Sequence, residues 1–287
     1  MVCLLAAWLL PPGGAAAAAP PALVVIDALG RTVRLAAPPQ RIVSVAPSVT
    51  EILFALGLAA RVVGVGSPDD YPPAAVAGRP RVGGVVLDAE RILRLQPDLI
   101  IGVASLQRGQ LERLIALRLP VLAVEASTLP EVYAQILLLG RVTGVPGAAG
   151  RVVATMRSRE GAVARAVAGR PARRTYVEVW SEPLITAGAG TFLADLITRA
   201  GGRNIFADVA GWRQVSAEAV LRRDPEVIIL TAPQTPDVLR RRAWGTVTAI
   251  RAGRVGVVDG SLVARPGPRI VEGLRAVAEI IHPEAFR

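Results

Sequence analysis

The chain has no lysine, one cysteine and one histidine, and the last two scarcities each close a class of function. With His282 as the only imidazole, neither a histidine-based catalytic triad nor a multi-histidine metal site can be assembled. Cys3 is the only thiol, so no disulfide or cysteine metal site is expected. Phosphate-binding and nucleophile-elbow motifs (GxGxxG, GxxxxGK, GxSxG) are also missing. No apolar run reaches the roughly 18–20 residues that a membrane span needs. Aromatic residues make up only 4%, which makes the position of each one informative.

What is present describes a well-packed protein. Hydrophobic residues account for 52% of 287 and charged residues for 20%, enough for two lobes with separate cores. The net charge of +10 comes from scattered arginines, the densest run being Arg240-Arg241-Arg242. No aromatic residues interleave with a basic stripe, so nucleic acid is not an expected partner. The apolar stretch Val2–Leu10, followed by Pro11-Pro12-Gly13-Gly14 and Ala15–Ala19, reads as a signal peptide over residues 1–21. Cys3 lies at the start of the apolar stretch and not after it, the wrong place for a lipid-anchor cysteine. The expected mature protein is a soluble, extracytoplasmic or periplasmic monomer.

Residues 89–102, AERILRLQPDLIIG, are echoed by residues 217–230, AEAVLRRDPEVIIL. Each copy predicts a short helix with an acidic first turn, a proline stop and a buried apolar strand. A helix feeding a β-branched strand is the unit of a parallel α/β sheet, so a duplicated α/β architecture is expected. Around this pair, residues 23–35 predict a β-hairpin turning at Leu29-Gly30. Strands are expected at 41–45, 61–65, 121–124, 175–179, 227–230 and 255–258, and helices at 130–139, 191–200 and 270–281. Ser48, with Glu51 three residues on, has the capping-box pattern. From Pro146 to about Ala168 a long helix is expected, spanning roughly 30 Å. This divides the chain into an N-terminal lobe at 22–142, a connecting helix at 143–170 and a C-terminal lobe at 171–287. A single rigid helix between lobes implies small hinge motions.

Tyr71 and Trp212 lie in polar, turn-rich loops, and Trp180 ends an apolar strand. Loops after parallel strands line the crevice where α/β proteins bind ligands, so these rings suit a flat, partly apolar ligand. Glu90 and Glu218 hold equivalent positions in the repeat, each in a first helical turn with Asp88 or Ser216 as candidate cap. Dipole compensation explains one such acid; two acids, one per lobe, also suit docking onto a basic partner. Asp69-Asp70 reads as a solvated turn, with Asp70 as base in an alternative in which the chain is an exported α/β enzyme. Gly188-Ala189-Gly190 reads as a turn before a helix.

Six segments carry a family resemblance: RIVSVAPSVTEILFALGL (41–58), SPDDYPPAA (67–75), ERILRLQPDLII (90–101), GTFLADLITRAGGRNIFAD (190–208), GWRQVSAEAVL (211–221) and RPGPRIVEGL (265–274). Over residues 23–281 the chain resembles the periplasmic binding proteins of cobalamin, haem and ferric-siderophore importers, the group with a single-helix backbone. SPDDYPP and GWRQVS are most similar to the cobalamin-binding branch. The resemblance implies a non-enzymatic protein without cofactor that binds a corrinoid between two lobes and delivers it to an ABC permease dimer. Haem and ferric siderophores are the alternative ligands. It places Tyr71 and Trp212 against the ligand, with Ser48, Asp70, Trp180 and Arg265 as further contacts, and assigns permease docking to Glu90 and Glu218. Gly84-Val85 and Ala104-Ser105 stand where cobalamin binders of this group tend to carry tryptophans, which implies a thinner stacking surface.

Overall fold

The computed structural model describes residues 23–231, 241 and 243–287. The expected signal peptide, Cys3, Arg240 and Arg242 lie outside the described residues. Two antiparallel strands open the chain, β1 (Leu23–Ile26) and β2 (Thr32–Leu35), paired Leu23 to Leu35. The turn between them is organised by Asp27, whose carboxylate accepts the Leu29 and Arg31 N–H groups at 3.0 and 2.9 Å.

The first lobe then builds a parallel sheet from β3 (Ile42–Ser44), β4 (Val62–Val65), β5 (Leu99–Val103) and β6 (Val121–Val124). All residues of β3, β5 and β6 are buried, as unbroken Val/Ile/Leu runs require when helices cover both faces of a sheet. Its helices are α1 (Pro47–Ala55), α2 (Pro73–Val76), α3 (Ala89–Arg94), α4 (Ala104–Ala116) and α5 (Leu129–Val142). The spatial order is β4-β3-β5-β6.

The second lobe repeats that order. Its parallel sheet is β10-β7-β12-β13, from β7 (Arg173–Glu178), β10 (Gly202–Asn204), β12 (Val227–Leu230) and β13 (Val255–Val257). In each lobe the first strand lies between the second and third, and the fourth completes the edge beside the third. The two copies of the sequence repeat fall on α3–β5 and on α8 (Ala217–Arg223) with β12, the same place in both sheets. A small antiparallel sheet is added to the second lobe by β8 (Trp180–Ser181), β9 (Leu184–Ala187) and β11 (Trp212–Gln214), alongside helix α7 (Phe192–Arg199). The expected fold class, two α/β lobes with mainly parallel sheets, is the one observed.

Between the sheets runs α6 (Pro146–Val167), whose 22 residues extend about 33 Å at 1.5 Å per residue. Pro146 starts it, where a missing N–H costs nothing. It buries Ala149, Val153, Met156 and Val163. A Cβ on Gly140 would lie 2.3 Å from the Ala149 Cβ, so α5 and α6 approach at a point only glycine fits. One apolar cluster continues from Ile42 and Leu53 through Ile136, Val153 and Leu193 to Leu274 and Ile281. Polar groups reinforce this spine. Tyr133 donates to Glu160 at 2.8 Å, Arg199 reaches Glu160 and Asp195 at 2.7 Å each, and the Leu129 N–H donates to Asp195 at 2.9 Å. A shared core and a hydrogen-bonded spine thus tie the two lobes together.

The capping box expected at Ser48 is not formed. Pro47 presets the first helical position, the N-cap is Ala46 without a side-chain bond, and Ser48 lies inside α1. Glu51 turns instead toward the second lobe. The two candidate caps of the repeat do form: Asp88 accepts from the Arg91 N–H at 2.9 Å and Ser216 from the Ala219 N–H at 3.2 Å.

Candidate functional site

A cavity of about 770 Å³ opens between the lobes. On the first lobe each strand of the sheet delivers a wall residue from just past its carboxyl end: Ser48 after β3, Pro68 after β4, Ala104 after β5 and Glu125 after β6. This is the crevice in which parallel sheets bind ligands. Leu106, 65% exposed, and Arg108 extend the same wall from α4. Across from them stand Thr191, Phe192, Trp212, Arg265 and Pro266 of the second lobe.

Tight backbone pairing places Trp212. Gly188 donates to the Gly211 carbonyl at 2.9 Å, and Gly211 donates to that of Ala189 at 2.8 Å. A Cβ on Gly188 would lie 2.2 Å from the Val209 carbonyl oxygen. Held there, the Trp212 ring meets Phe192 edge to face at 5.9 Å and remains 46% exposed. An aromatic face left uncovered on a cavity wall has the shape and chemistry to stack on a flat, partly apolar molecule. Thr191, beside it, caps α7 through the Ala194 N–H at 3.2 Å.

Arg265 ties the cavity wall to a charged network across the lobes. Its guanidinium forks onto Asp70 of the first lobe, with one arm at 3.1 Å, and approaches Glu51 at 3.4 Å. Arg269 makes a two-point pair with Glu51, at 3.0 and 2.6 Å. The same guanidinium lies 3.8 Å over the Tyr71 ring. Glu51 has a side chain only 2% exposed, while those of Arg265 and Arg269 are 17% and 15% exposed. The fork with Arg265 holds the Asp70 carboxyl below the usual carboxylate range, and the acids hold both arginines above theirs.

The Asp69-Asp70 turn is therefore not simply solvated. Asp70 faces the cleft network, whereas Asp69 is buried. Asp69 Oδ2 accepts from the Thr50 hydroxyl and, at 3.0 Å, from the Gly66 N–H, while Oδ1 is buried without a hydrogen-bond partner. Burial pushes its carboxyl up to about 6 against these bonds.

Of the residues singled out from sequence, Ser48, Trp212 and Arg265 meet on the cavity wall, and Asp70 joins them through Arg265. Tyr71 lines a second hollow of about 360 Å³ with Phe54, Thr155 and Arg269, between the first lobe and α6. The structure does not bring its ring onto the same wall as Trp212. Trp180, 50% exposed, donates its indole N–H to the Glu182 carbonyl at 2.7 Å and lines neither hollow. Glu90, 87% exposed at its side chain, pairs with Arg94 at 3.8 Å. Glu218 is exposed on α8, where its own N–H and Ser216 hold its carboxyl below the ordinary value. Sequence reasoning missed Glu51, Arg269, Leu106, Arg108 and Glu125. The doubled arginine of RPGPR was the one signal pointing to two acids opposite it.

Among the described residues no group of three or more His, Cys, Asp or Glu side chains could hold a metal ion. No helix among them is long and apolar enough to cross a membrane.

Comparison with known proteins bears on this geometry. The family model described as periplasmic binding protein matches residues 42–262. An uncharacterized ABC transporter substrate-binding lipoprotein of Bacillus subtilis is 32% identical over 270 residues, covering 91% of this chain and 86% of that protein. The crystal structure of the periplasmic vitamin B12 binding protein of Vibrio cholerae superposes with a TM-score of 0.77 at 29% identity, covering 87% of this chain and 99% of that one. The periplasmic heme-binding protein of Roseiflexus sp. RS-1, in apo form, gives 0.76 at 27% identity, over 86% and 99%.

Proposed function

We propose, from the premise that this chain belongs to the periplasmic binding protein family, that it is the extracytoplasmic substrate-binding component of an ABC importer and that its ligand is a corrinoid. The observation that carries the reading is the inter-lobe cavity of about 770 Å³ with the bare Trp212 ring on its wall. That volume is in the range of small-molecule sites, and one flat ring face plus a few polar groups suits a metal macrocycle. The likeness to the vitamin B12 binding protein of Vibrio cholerae supports the corrinoid.

The mechanism is binding without reaction. Trp212 covers an apolar face of the ligand, and Ser48 and Arg265 offer polar contacts on opposite walls. Asp70 holds Arg265 in place, and Tyr71 steadies Arg269 in the adjoining hollow. Trp180, exposed in β8 of the second lobe and outside both hollows, is a further candidate contact. The shared core keeps lobe motion small, so the loaded monomer presents a nearly fixed surface. Glu90 and Glu218, one per lobe at equivalent helix starts, dock it onto cationic groups of the two permease subunits, which fixes register and speeds encounter. Residues 1–21 direct export and are absent from the mature protein.

The heme-binding relative favours haem as the second reading, with a ferric siderophore after it. The test is a melting series on the chain lacking residues 1–21, with cyanocobalamin, hemin or ferrichrome. At 100 times its Kd a true ligand adds about 2.7 kcal/mol of stability. A shift with cyanocobalamin alone supports the corrinoid. A shift with hemin alone replaces it by haem, and turnover of any of the three contradicts a binding protein.

A further inference from the structure

Among the described residues three charged side chains stand on the cleft wall, Arg108, Glu125 and Arg265, and each is balanced differently. Arg265 faces two acids, Asp70 in a fork and Glu51 at 3.4 Å. Arg108 pairs with Glu112 at 3.7 Å, with both side chains more than half exposed. Glu125 has no arginine within ion-pairing range among the described residues; its partners are the Ser105 N–H at 2.6 Å and the Ser105 hydroxyl at 3.0 Å.

The local fold explains why the acid is there and why it stays fixed. Helix α4 begins beyond Val103, which offers no side-chain cap, so the first amides of the helix need an acceptor from elsewhere. Glu125 follows directly on the buried strand β6, and its carboxylate supplies that acceptor to Ser105, in the short first turn that precedes a kink in α4 at Gln107. A carboxylate has about four acceptor positions, and Ser105 uses two. The remainder belong to a side chain that lines the cleft.

We propose that Glu125 sets the class of ligand that the cleft admits. It accepts hydrogen bonds from N–H or O–H groups on the ligand's rim and repels carboxylates. Chelates with a neutral, amide-bearing rim enter, and those with an anionic rim are rejected. This rests on the cleft being the ligand site and deepens that reading, because the periphery of a corrinoid carries carboxamides.

The test uses two pairs of probes matched in shape and differing in rim charge: cyanocobalamin against its singly hydrolysed carboxylic acid, and hemin bis-amide against hemin. Wild type, Glu125→Gln and Ser105→Ala are titrated by tryptophan quenching at pH 7.5, with melting temperature as a check on folding. Glutamine keeps an acceptor for the Ser105 N–H. In whichever pair binds, wild type prefers the neutral member about tenfold, the effect of one like charge a few ångströms away between the dielectric limits of water and interior. Glu125→Gln removes most of that preference, Ser105→Ala retains it, and added salt weakens it in wild type. An unchanged preference in Glu125→Gln overturns the role of Glu125 alone. A loss of preference in Ser105→Ala equal to that in Glu125→Gln makes the effect structural and also overturns it. If none of the four probes binds, the cleft is not a site for such chelates and the inference falls with that reading.

Discussion

Replacing Arg269 by methionine removes the strongest partner of a carboxylate that is almost sealed from water. Glu51 is 2% exposed at its side chain, and Arg269 holds it with bonds of 3.0 and 2.6 Å. Breaking a fully buried pair from one side costs about 3–5 kcal/mol, because the remaining charge is stranded. Here Arg265 stays at 3.4 Å from Glu51, so about 2–3 kcal/mol is expected. That lowers Tm by roughly 4–8 °C in a protein of this size. Glu51→Gln is the milder change, about 1–2 kcal/mol. It leaves a cation that is partly exposed and still stacked on Tyr71. The double variant removes both charges and should cost less than Arg269→Met alone, a coupling of about 2 kcal/mol. Urea denaturation of the four proteins at pH 7.5 measures it, and the coupling should persist at high salt because water and ions do not reach Glu51. Costs that simply add would refute the buried inter-lobe pair.

Further outcomes follow from other parts of the molecule. Burial lifts the Asp69 carboxyl from its ordinary 3.8 to about 6 on folding, so its share of stability is present below 3.8 and is lost as pH rises through 6. Asp69→Asn should therefore raise stability at pH 7.5 by roughly 1–3 kcal/mol and flatten the pH dependence between 4 and 6 in urea titrations. Trp212→Ala should weaken ligand binding by tenfold or more in equilibrium titration, and Tyr71→Ala by less, because only Trp212 lines the cavity. Equal losses would place both rings on the ligand. Reversing Glu90 and Glu218 together to arginine should stop uptake by cells while Kd for the ligand stays within about twofold. Lost affinity would assign these acids to the pocket or the fold. Gly140→Ala should cost about 1–3 kcal/mol in thermal unfolding, since the added methyl meets Ala149.

The parallel strands were legible because a sheet covered on both faces needs unbroken apolar runs, and 227–230 and 121–124 have them. The helix at 270–281 was legible as well, and the duplicated topology followed from the repeat at 89–102 and 217–230. Glu51 was not, because its partner Arg269 is 218 positions away and the local pattern fits a capping box equally well. Asp69 and Asp70, adjacent in the chain, have opposite environments, which depend on Thr50 on one side and Arg265 on the other. Glu125 carried no signal at all, since its role arises where β6 ends beside the start of α4. Tyr71 and Trp212 shared one reading from sequence, loop aromatics near strand ends. Their separation into two hollows is set by Arg269, which covers the Tyr71 ring.

The most direct test of the cleft as ligand site is a fluorescence titration of the chain lacking residues 1–21 with cyanocobalamin, in wild type and in Trp212→Phe. Saturable quenching at one ligand per chain, with a clearly smaller amplitude in Trp212→Phe, is the expected result. Quenching that does not saturate, or the same amplitude in both proteins, would contradict a corrinoid seated against Trp212 between the lobes.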